Sequence, residues 1–204
     1  MAGNMIGIEI GSSNIKLIEV TKKAATLKVE NFSLLNTPKD CVINGVIAQM
    51  EPIYEIIAKE LITKGYKAKK AVIVIQSNHI IIRNAIIDKQ PEKIIKQLIA
   101  IRPEEYLPVD TSQYQIDFKI SKEFQEAGVD KQELLLVAAP NNIVILMVNL
   151  VESLKLTPIR ISIPSEALAK AFGSHTRIVH DTGENALVID IGGKSTTEIG
   201  RAHV

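Results

Sequence analysis

The N-terminal segment carries the alternation of apolar and other residues that is typical of extended structure. Apolar residues alternate over Ile6–Ile10, Gly11–Asn14 have turn chemistry, and the alternation resumes over Ile15–Val20. This pattern predicts a β-hairpin. A third strand is predicted at about residues 25–35, where β-branched and aromatic residues mix with polar ones.

The hydrophobic period then changes from two to that of a helix. From Ile47 to Leu61 apolar residues recur at spacings of three and four, and Gly65 follows as a C-terminal signal, so we predict a helix that ends there. The wholly apolar run Val72–Ile75 predicts a strand that is buried on both faces. The predicted order of this first part is βββαβ.

Residues 78–158 form a second pattern, which predicts a self-contained βαββα insert. Its predicted elements are a strand through Ile80–Ile87, a helix opening at Pro91, strands at Tyr114–Ile120 and Leu134–Ala138 with a charged bend over Ser121–Gln132, and a helix capped by Asn141 or Asn142. Ile159–Ile163 and the helix Ser165–Phe172 return to the first unit. A polar stretch, Gly173–Asn185, then links to a strand at 186–190.

Composition and charge exclude several classes of protein. The hydrophobic fraction of 46% fills a core, and 24 basic against 23 acidic residues leave a net charge of +1, too small to gather nucleic acid or an anionic membrane, so any such binding must be local. We expect no direct membrane insertion. Cys41 is alone and the four histidines are scattered, so we predict no thiolate metal site and a cytoplasmic protein. No signal peptide or membrane-spanning run is visible.

One short motif occurs twice. Ile8–Ser13 (IEIGSS) reappears as Ile189–Ser195 (IDIGGKS), each copy being strand, acid, apolar residue, glycine and small polar turn. Small residues let backbone N–H groups approach phosphate oxygens, and an acid at the strand end can hold Mg²⁺ through water. The alternative is that each copy is an ordinary hairpin that contains glycine. The presence of two matching copies makes this alternative less probable. The pair predicts a two-sided phosphate clamp.

These residues resemble a known family. Gly7–Lys16 resembles the first phosphate motif of the actin-like ATPase superfamily and Leu187–Thr197 its second, while Glu105–Pro108 and Leu135–Pro140 occur in the order shown by the PilM family of type IV pilus assembly proteins, relatives of FtsA. The resemblance implies an α/β, actin-like (ribonuclease H-like) lobe with an inserted βαββα subdomain 1C, an SHS2 domain. Subdomain 1A would comprise residues 1–77 and 159–185, and residues 186–197 would be the first hairpin of lobe II.

By the same resemblance, ATP and Mg²⁺ would bind between the two turns. The residues that would contact phosphates are Gly11, Ser12, Ser13, Asn14 and Lys16 on one side, and Gly192, Gly193, Lys194, Ser195 and Thr196 on the other. Glu9, where the family commonly has Asp, and Asp190 would face the metal. The family also implies a partner, the N-terminal cytoplasmic tail of a PilN-like inner-membrane protein, bound in a groove between the two subdomains. Asn78 and Ile80–Ile82 are candidate wall residues, with ordinary sheet core as the alternative.

The resemblance implies at most a weak ATPase. Pro164 stands where many superfamily members have an acid that organises the metal-bound water, and Glu166 is displaced along the chain. The alternatives are a sugar or acetate kinase of the same superfamily, a nucleotide-independent peptide-binding adaptor, a type II secretion component and an FtsA-like cell-division protein. A homo-oligomer or ring is compatible with the family, as is a location at the inner face of the cytoplasmic membrane through the partner.

The remaining features favour structural interpretations. Lys67, Lys69 and Lys70 precede a strand and are expected to be a solvated edge that guards against aggregation, with a phosphate-binding patch as the alternative. The last residues, 198–204, leave the family pattern and match the translation of a common sequencing-adapter sequence. We therefore expect them to be an artefact at the end of a truncated read.

Overall fold

A computed structural model of the chain describes residues 3–23, 26–107, 110–172, 187–194 and 196–200. Its elements in chain order are β1 (Asn4–Ile10), β2 (Asn14–Lys23), β3 (Thr26–Asn36), β4 (Val42–Ile43), β5 (Val46–Ile47), α1 (Met50–Thr63), β6 (Lys70–Val74), β7 (Ile81–Asp88), α2 (Glu92–Ile101), β8 (Tyr114–Glu126), β9 (Val129–Pro140), α3 (Asn141–Ser153), β10 (Thr157–Ser162), α4 (Pro164–Ala171), β11 (Leu187–Ile191) and β12 (Thr196–Gly200). Two short 3₁₀ helices, Pro103–Glu105 and Thr111–Gln113, lie between α2 and β8.

The chain divides into two compact units. The main unit comprises Met1–Ser77 and Leu146–Val204, and the insert unit comprises Asn78–Ile145. The division falls inside α3, whereas the sequence pattern placed the end of the insert at residue 158. The predicted subdomain boundaries stay predictions, and the predicted linker 173–185 lies outside the described residues.

A five-stranded sheet in the order β10-β6-β1-β2-β3 forms the centre of the main unit. β1, β6 and β10 run parallel, and β1, β2 and β3 form an antiparallel meander. The predicted hairpin and third strand are therefore confirmed. One face of the sheet is buried, since the alternating apolar residues of its central strands are at most 5% exposed: Ile6, Ile8, Ile10, Ile15, Leu17, Ala71 and Ile73. Each fully buried isoleucine or leucine contributes about 1.5–3 kcal/mol.

The predicted helix begins later than its apolar spacing suggested. Ile47 lies in β5 and not in α1, because Asn44 (φ 53°) and Gly45 (φ 76°) form a two-residue turn that pairs β4 with β5. α1 starts at Met50 and ends at Thr63. Gly65 follows in the left-handed region at φ 65°, as the predicted stop required.

The insert unit contains a three-stranded antiparallel sheet in the order β7-β9-β8. With α2 and α3, its element order is the predicted βαββα. A buried apolar cluster holds it together: Ile95, Ile99, Leu107, Leu134, Leu136 and Ala138. α2 contributes Ile95 and Ile99 to that cluster.

The charged bend predicted over Ser121–Gln132 is wrong. β8 continues to Glu126 and β9 starts at Val129, so the hairpin closes through Ala127 (φ 51°) and Gly128 (φ 79°) alone. A register irregularity between Ile120 and Lys122 allows the strands to continue beyond the core. On β8 this extension is largely exposed on both faces, and the sequence there lacks the apolar alternation that marks a half-buried strand. On β9 the predicted bend ends at the buried Gln132.

Candidate functional site

The first predicted phosphate turn, Gly11–Asn14, is a narrow turn between β1 and β2. The N–H of Gly11 donates to the carbonyl oxygen of Asn14 at 2.9 Å, and a Cβ added to Gly11 would lie 3.0 Å from that oxygen. Thr37 braces the turn from β3: its hydroxyl donates to the Gly11 carbonyl at 2.7 Å and its N–H to the Ser13 carbonyl at 2.9 Å. The sequence pattern did not single out Thr37, because it lies just after the third predicted strand, where the alternation ends.

The second predicted turn connects β11 and β12. Gly192, Gly193 and Lys194 are exposed, and Thr196 opens β12 opposite Ile191. Asp190 lies within β11, opposite Thr197. Ser195 lies outside the described residues. The predicted hairpin at 186–197 is thus present as two paired strands, and α4 contacts β12.

The two turns, whose first glycines Gly11 and Gly192 are 181 positions apart in the chain, meet in space. A Cβ placed on Gly193 would lie 1.9 Å from Oγ and 2.8 Å from Cβ of Ser13, and 4.0 Å from Oγ of Ser12. Any side chain at Gly193 would therefore displace Ser13 or separate the turns. The structure brings together one glycine turn from each copy of the repeated motif, all within the main unit.

The donors of the first turn suit an anion. In the part of the chain that the structure describes, the backbone N–H groups of Ser12 and Ser13 have no acceptor, while the carbonyl oxygens of Gly11 and Ser13 are already bonded to Thr37. Backbone N–H groups without an acceptor, beside two serine hydroxyls, are donors of the kind that bind phosphate oxygens. The residues present therefore fit the phosphate portion of a nucleotide.

Two of the predicted ligands contact each other. Glu9 and Lys16 are cross-strand neighbours on β1 and β2, and Nζ of Lys16 lies 2.8 Å from Oε1 of Glu9. Both side chains are partly exposed, so the pair contributes only about 0–1 kcal/mol and a ligand can separate it. Asn14, the remaining predicted ligand, donates weakly through Nδ2 to Oδ1 of Asn36 at 3.5 Å.

The acids of the site do not form a metal cage by themselves. Among the described residues no group of three or more His, Cys, Asp and Glu side chains is arranged to hold a metal ion. Mg²⁺ commonly uses only one or two carboxylates and takes its other ligands from phosphates and water. Glu9 and Asp190 stay the predicted metal-facing acids.

Glu166 is engaged in hydrogen bonds and ion pairs and is not free to act as a base. Burial raises the pKa of its carboxyl, but donation from Lys170 (2.7 Å) and Ser162 (2.6 Å) and the nearby charge of Arg160 outweigh burial and lower the pKa overall. Ser162, Val74 and Glu9 are in register at the carboxyl ends of three parallel strands. Glu166 is thus held by hydrogen bonds and ion pairs beside Ser162, at the carboxyl end of β10.

Comparison with known proteins assigns the family. The family model described as "Type IV pilus assembly protein PilM" matches residues 7–199, which include both glycine turns. The chain belongs to the PilM family. The match ends at residue 199 and β12 ends at Gly200, so the expected artefact at 198–204 stays a prediction.

Solved structures place this PilM-family chain in the actin-like fold. It resembles the "PilM-PilN type IV pilus biogenesis complex" with a TM-score of 0.77 at 20% identity, covering 98% of this chain and 58% of that chain. It also resembles the cytoplasmic domain of EpsL, an inner-membrane component of the type II secretion system of Vibrio cholerae, with a TM-score of 0.55 at 10% identity, covering 98% of this chain and 71% of that one. The chain therefore spans well under two thirds of the length of the matched PilM. No helix among the described residues is long and apolar enough to cross a membrane.

Proposed function

We propose that this chain is an ATP-binding, actin-like scaffold of type IV pilus assembly that binds the N-terminal tail of a PilN-like inner-membrane protein. In this proposal it is held at the cytoplasmic face of the inner membrane by that partner. The observation that carries the nucleotide part is the approach of Gly193 to Ser13, since it joins two glycine turns that have no other evident reason to match in sequence.

The phosphates of ATP would take the N–H groups and hydroxyls of Ser12 and Ser13, with backbone donors of Gly192–Lys194 opposite. Bound nucleotide would bring Mg²⁺ as a counter-charge to those phosphates. Lys16 would leave Glu9 for the phosphates, which frees the Glu9 carboxylate to face the metal. Glu166 is engaged in ion pairs, and position 164 is a proline where an acidic residue would be needed. We therefore expect hydrolysis to be slow and the nucleotide to act as a structural ligand.

Calorimetry with ATP and Mg²⁺ tests this part. A Gly11→Asp/Gly193→Asp variant puts a carboxylate in each turn, where it repels phosphate, and should abolish binding. The matched control is Gly3→Asp/Gly65→Asp: it adds the same charge at glycines whose added Cβ has no neighbour within 4 Å, and it should bind as the parent does. Absence of binding by the parent, or equal binding by both double variants, would contradict the nucleotide part of the proposal.

The open face of the insert sheet is our candidate surface for the partner's tail. Ile82 and Ile86 on β7 are 50% and 58% exposed, and β7 is an edge strand, so an extended apolar peptide can pair with its backbone or cover these side chains. The corresponding test is titration of a synthetic PilN-like tail peptide. Ile82→Ser should weaken binding about tenfold or more, whereas Ile62→Ser, at an 82% exposed position on α1, should not.

A nucleotide-independent adaptor is the second candidate. The ion pair of Lys16 with Glu9 favours it, because the pair engages two of the predicted ligands without a nucleotide. The same titration, repeated with saturating ATP and Mg²⁺, separates the two candidates. A changed peptide affinity supports the nucleotide-binding scaffold, and an unchanged one supports the adaptor.

A further inference from the structure

Five lysines lie together at the end of the main sheet where β6 and β10 begin, opposite the end that carries the Gly11–Asn14 turn. We call this surface the lysine edge: Lys22, Lys67, Lys69, Lys70 and Lys155. All five are exposed, and none of them forms an ion pair within the described residues. The charges are therefore available to a partner.

Strand pairing fixes their proximity. Lys70 opens β6 and pairs with Met5 of β1 on one side and with Thr157 of β10 on the other, two residues after Lys155. The N–H of Thr157 donates to the carbonyl oxygen of Lys69 at 2.7 Å. On the other side of β1, Asn4 pairs with Thr21, the neighbour of Lys22. Four adjacent strands at ~4.8 Å spacing place these lysines along roughly 15 Å.

Three acids lie near this edge, and two of them are engaged. Glu19 is buried and accepts the N–H of Lys67, and Glu30 is paired with Lys28. Glu152 is an exposed acid three positions before Lys155 in the chain. The lysines outnumber these acids five to three, so this surface keeps a positive charge.

The lysine edge also has an apolar component. Leu27, the pairing neighbour of Lys22 on β3, is 65% exposed, and Val29 beside it is 55% exposed. Lysines flanking exposed aliphatic side chains are typical of surfaces that lie on anionic bilayers, where the ammonium groups meet headgroups and the apolar groups reach the acyl boundary. Single-stranded nucleic acid would instead favour aromatic stacking platforms, and neither Leu27 nor Val29 provides one.

We propose that the lysine edge binds the anionic lipid headgroups of a bilayer surface directly. The inference rests on the proposed function only for the presence of a membrane nearby, since the partner tail would bring the chain there. Several lysines acting together would orient the main unit, with the Gly11–Asn14 turn at the opposite end of the sheet directed away from the lipid. The attraction of each lysine to an anionic surface falls off within a Debye length.

Vesicle flotation without any partner tests this proposal. The chain should float with vesicles of phosphatidylcholine containing about a third phosphatidylglycerol, and not with pure phosphatidylcholine; binding should fall steeply as salt is raised. A Lys67→Gln/Lys69→Gln/Lys70→Gln variant should lose affinity at least about tenfold. The matched control, Lys39→Gln/Lys93→Gln/Lys119→Gln, removes the same charge from other exposed, unpaired lysines and should keep most of the binding.

Three results would overturn the lysine edge as a lipid-binding surface. The first is no flotation of the parent with anionic vesicles, and the second is equal loss in the two triple variants, which would indicate a net-charge effect. Leu27→Ser should weaken flotation without changing the charge. The third contrary result is retention of the chain on RNA that is as strong as its flotation and is unchanged by Leu27→Ser, which would assign the edge to nucleic acid. Nucleotide and tail-peptide titrations of the triple variant should match those of the parent, so failure here and failure of the proposed function are distinguishable.

Discussion

Glu19 is a carboxylate in the interior, 1% exposed, and the donors around it are neutral. Nδ2 of Asn4 (3.0 Å), Nδ2 of Asn31 (2.7 Å) and the N–H of Lys67 (2.9 Å) all donate to it. Burial raises the pKa of Glu19, but the hydrogen bonds outweigh burial and lower it below the ordinary value of 4.5. The charged form is thus the one for which β1, β2 and β3 are arranged.

This environment predicts a pH-dependent contribution to stability. Because the folded-state pKa lies below the unfolded value, the contribution is complete above about pH 4.5 and is lost as the pH falls through the folded-state pKa. Glu19→Ala should cost about 3 kcal/mol at pH 7, since it leaves buried donors unpaired, and Glu19→Gln about 2, since its amide must face a donor. Urea unfolding from pH 7 to pH 3 measures both effects.

The matched control for Glu19 is Glu55→Gln, at an exposed position on α1, which should change the unfolding free energy by no more than about 0.5 kcal/mol. Glu19→Gln should also flatten the acid limb of the stability profile. An acid limb as steep as that of the parent would show that Glu19 does not contribute to it.

Gln132 is the opposite case, a buried polar group without a full set of partners. It is 0% exposed in the insert sheet; its Nε2 donates to the carbonyl oxygen of Gln90 at 3.3 Å, and its Oε1 has no partner. Gln132→Met keeps the length and removes the unpaired oxygen, so it should raise the free energy of unfolding by about 1 kcal/mol. Denaturant midpoints measure this, with the exposed Gln125→Met as the control that should give no gain.

At the scale of elements, Gly45 shows how a short hairpin depends on one residue. Its φ is 76°, and an added Cβ would lie 2.0 Å from the carbonyl oxygen of Gln76, a backbone atom that cannot rotate away. Gly65 has a similar φ of 65° but nothing within 4 Å. Gly45→Ala should therefore cost roughly 3 kcal/mol and Gly65→Ala only about 1, the price of the left-handed backbone alone.

Thermal unfolding of the Gly45→Ala and Gly65→Ala variants tests this difference. The left-handed backbone conformation is common to both positions, and only the space around the added Cβ differs. Equal losses would mean that the β4–β5 hairpin moves freely away from Gln76. Near-neutral behaviour of Gly45→Ala would mean that this hairpin does not contribute to the folded core at all.

The order of elements was predictable because most of them have one buried face. The alternation over Ile6–Ile10 and the helical spacing after Met50 follow directly from burial of one face, and the structure confirms both. Asn44-Gly45 is a strong two-residue turn signal that the longer apolar spacing starting at Ile47 obscured. The outer part of the β8–β9 hairpin was missed because it has no buried face to impose alternation.

The candidate site was predictable only in part. The repeated motif identified both turns, since glycine and small residues after a strand are a local signal. The contact of Gly193 with Ser13, the bracing by Thr37 and the pairing of Lys16 with Glu9 depend on residues brought together by strand pairing and tertiary packing. No local pattern in the sequence encodes these contacts. The lysine edge is a similar case, because its members come from three separate segments.

At the scale of the molecule, each unit has a core of its own. The cluster around Leu136 consists of residues from α2, from the segment between α2 and β8, and from the strands β7, β8 and β9. Leu17 is buried in the five-stranded sheet of the main unit. Both leucines are 0% exposed, so each change to alanine should cost about 2–5 kcal/mol. Similar losses in stability would hide a difference in where the structure opens.

Amide hydrogen exchange reveals that difference. Leu136→Ala should accelerate exchange first in β7, β8 and β9, and Leu17→Ala first in β1, β2 and β6, since local opening follows the core that has lost a side chain. α3 belongs to both units, so its amides before Leu146 should respond to Leu136→Ala and those after it to Leu17→Ala. If either variant accelerated exchange uniformly throughout the chain, the two units would be one cooperative structure. The proposed partner of the insert could then not be released by opening that unit alone.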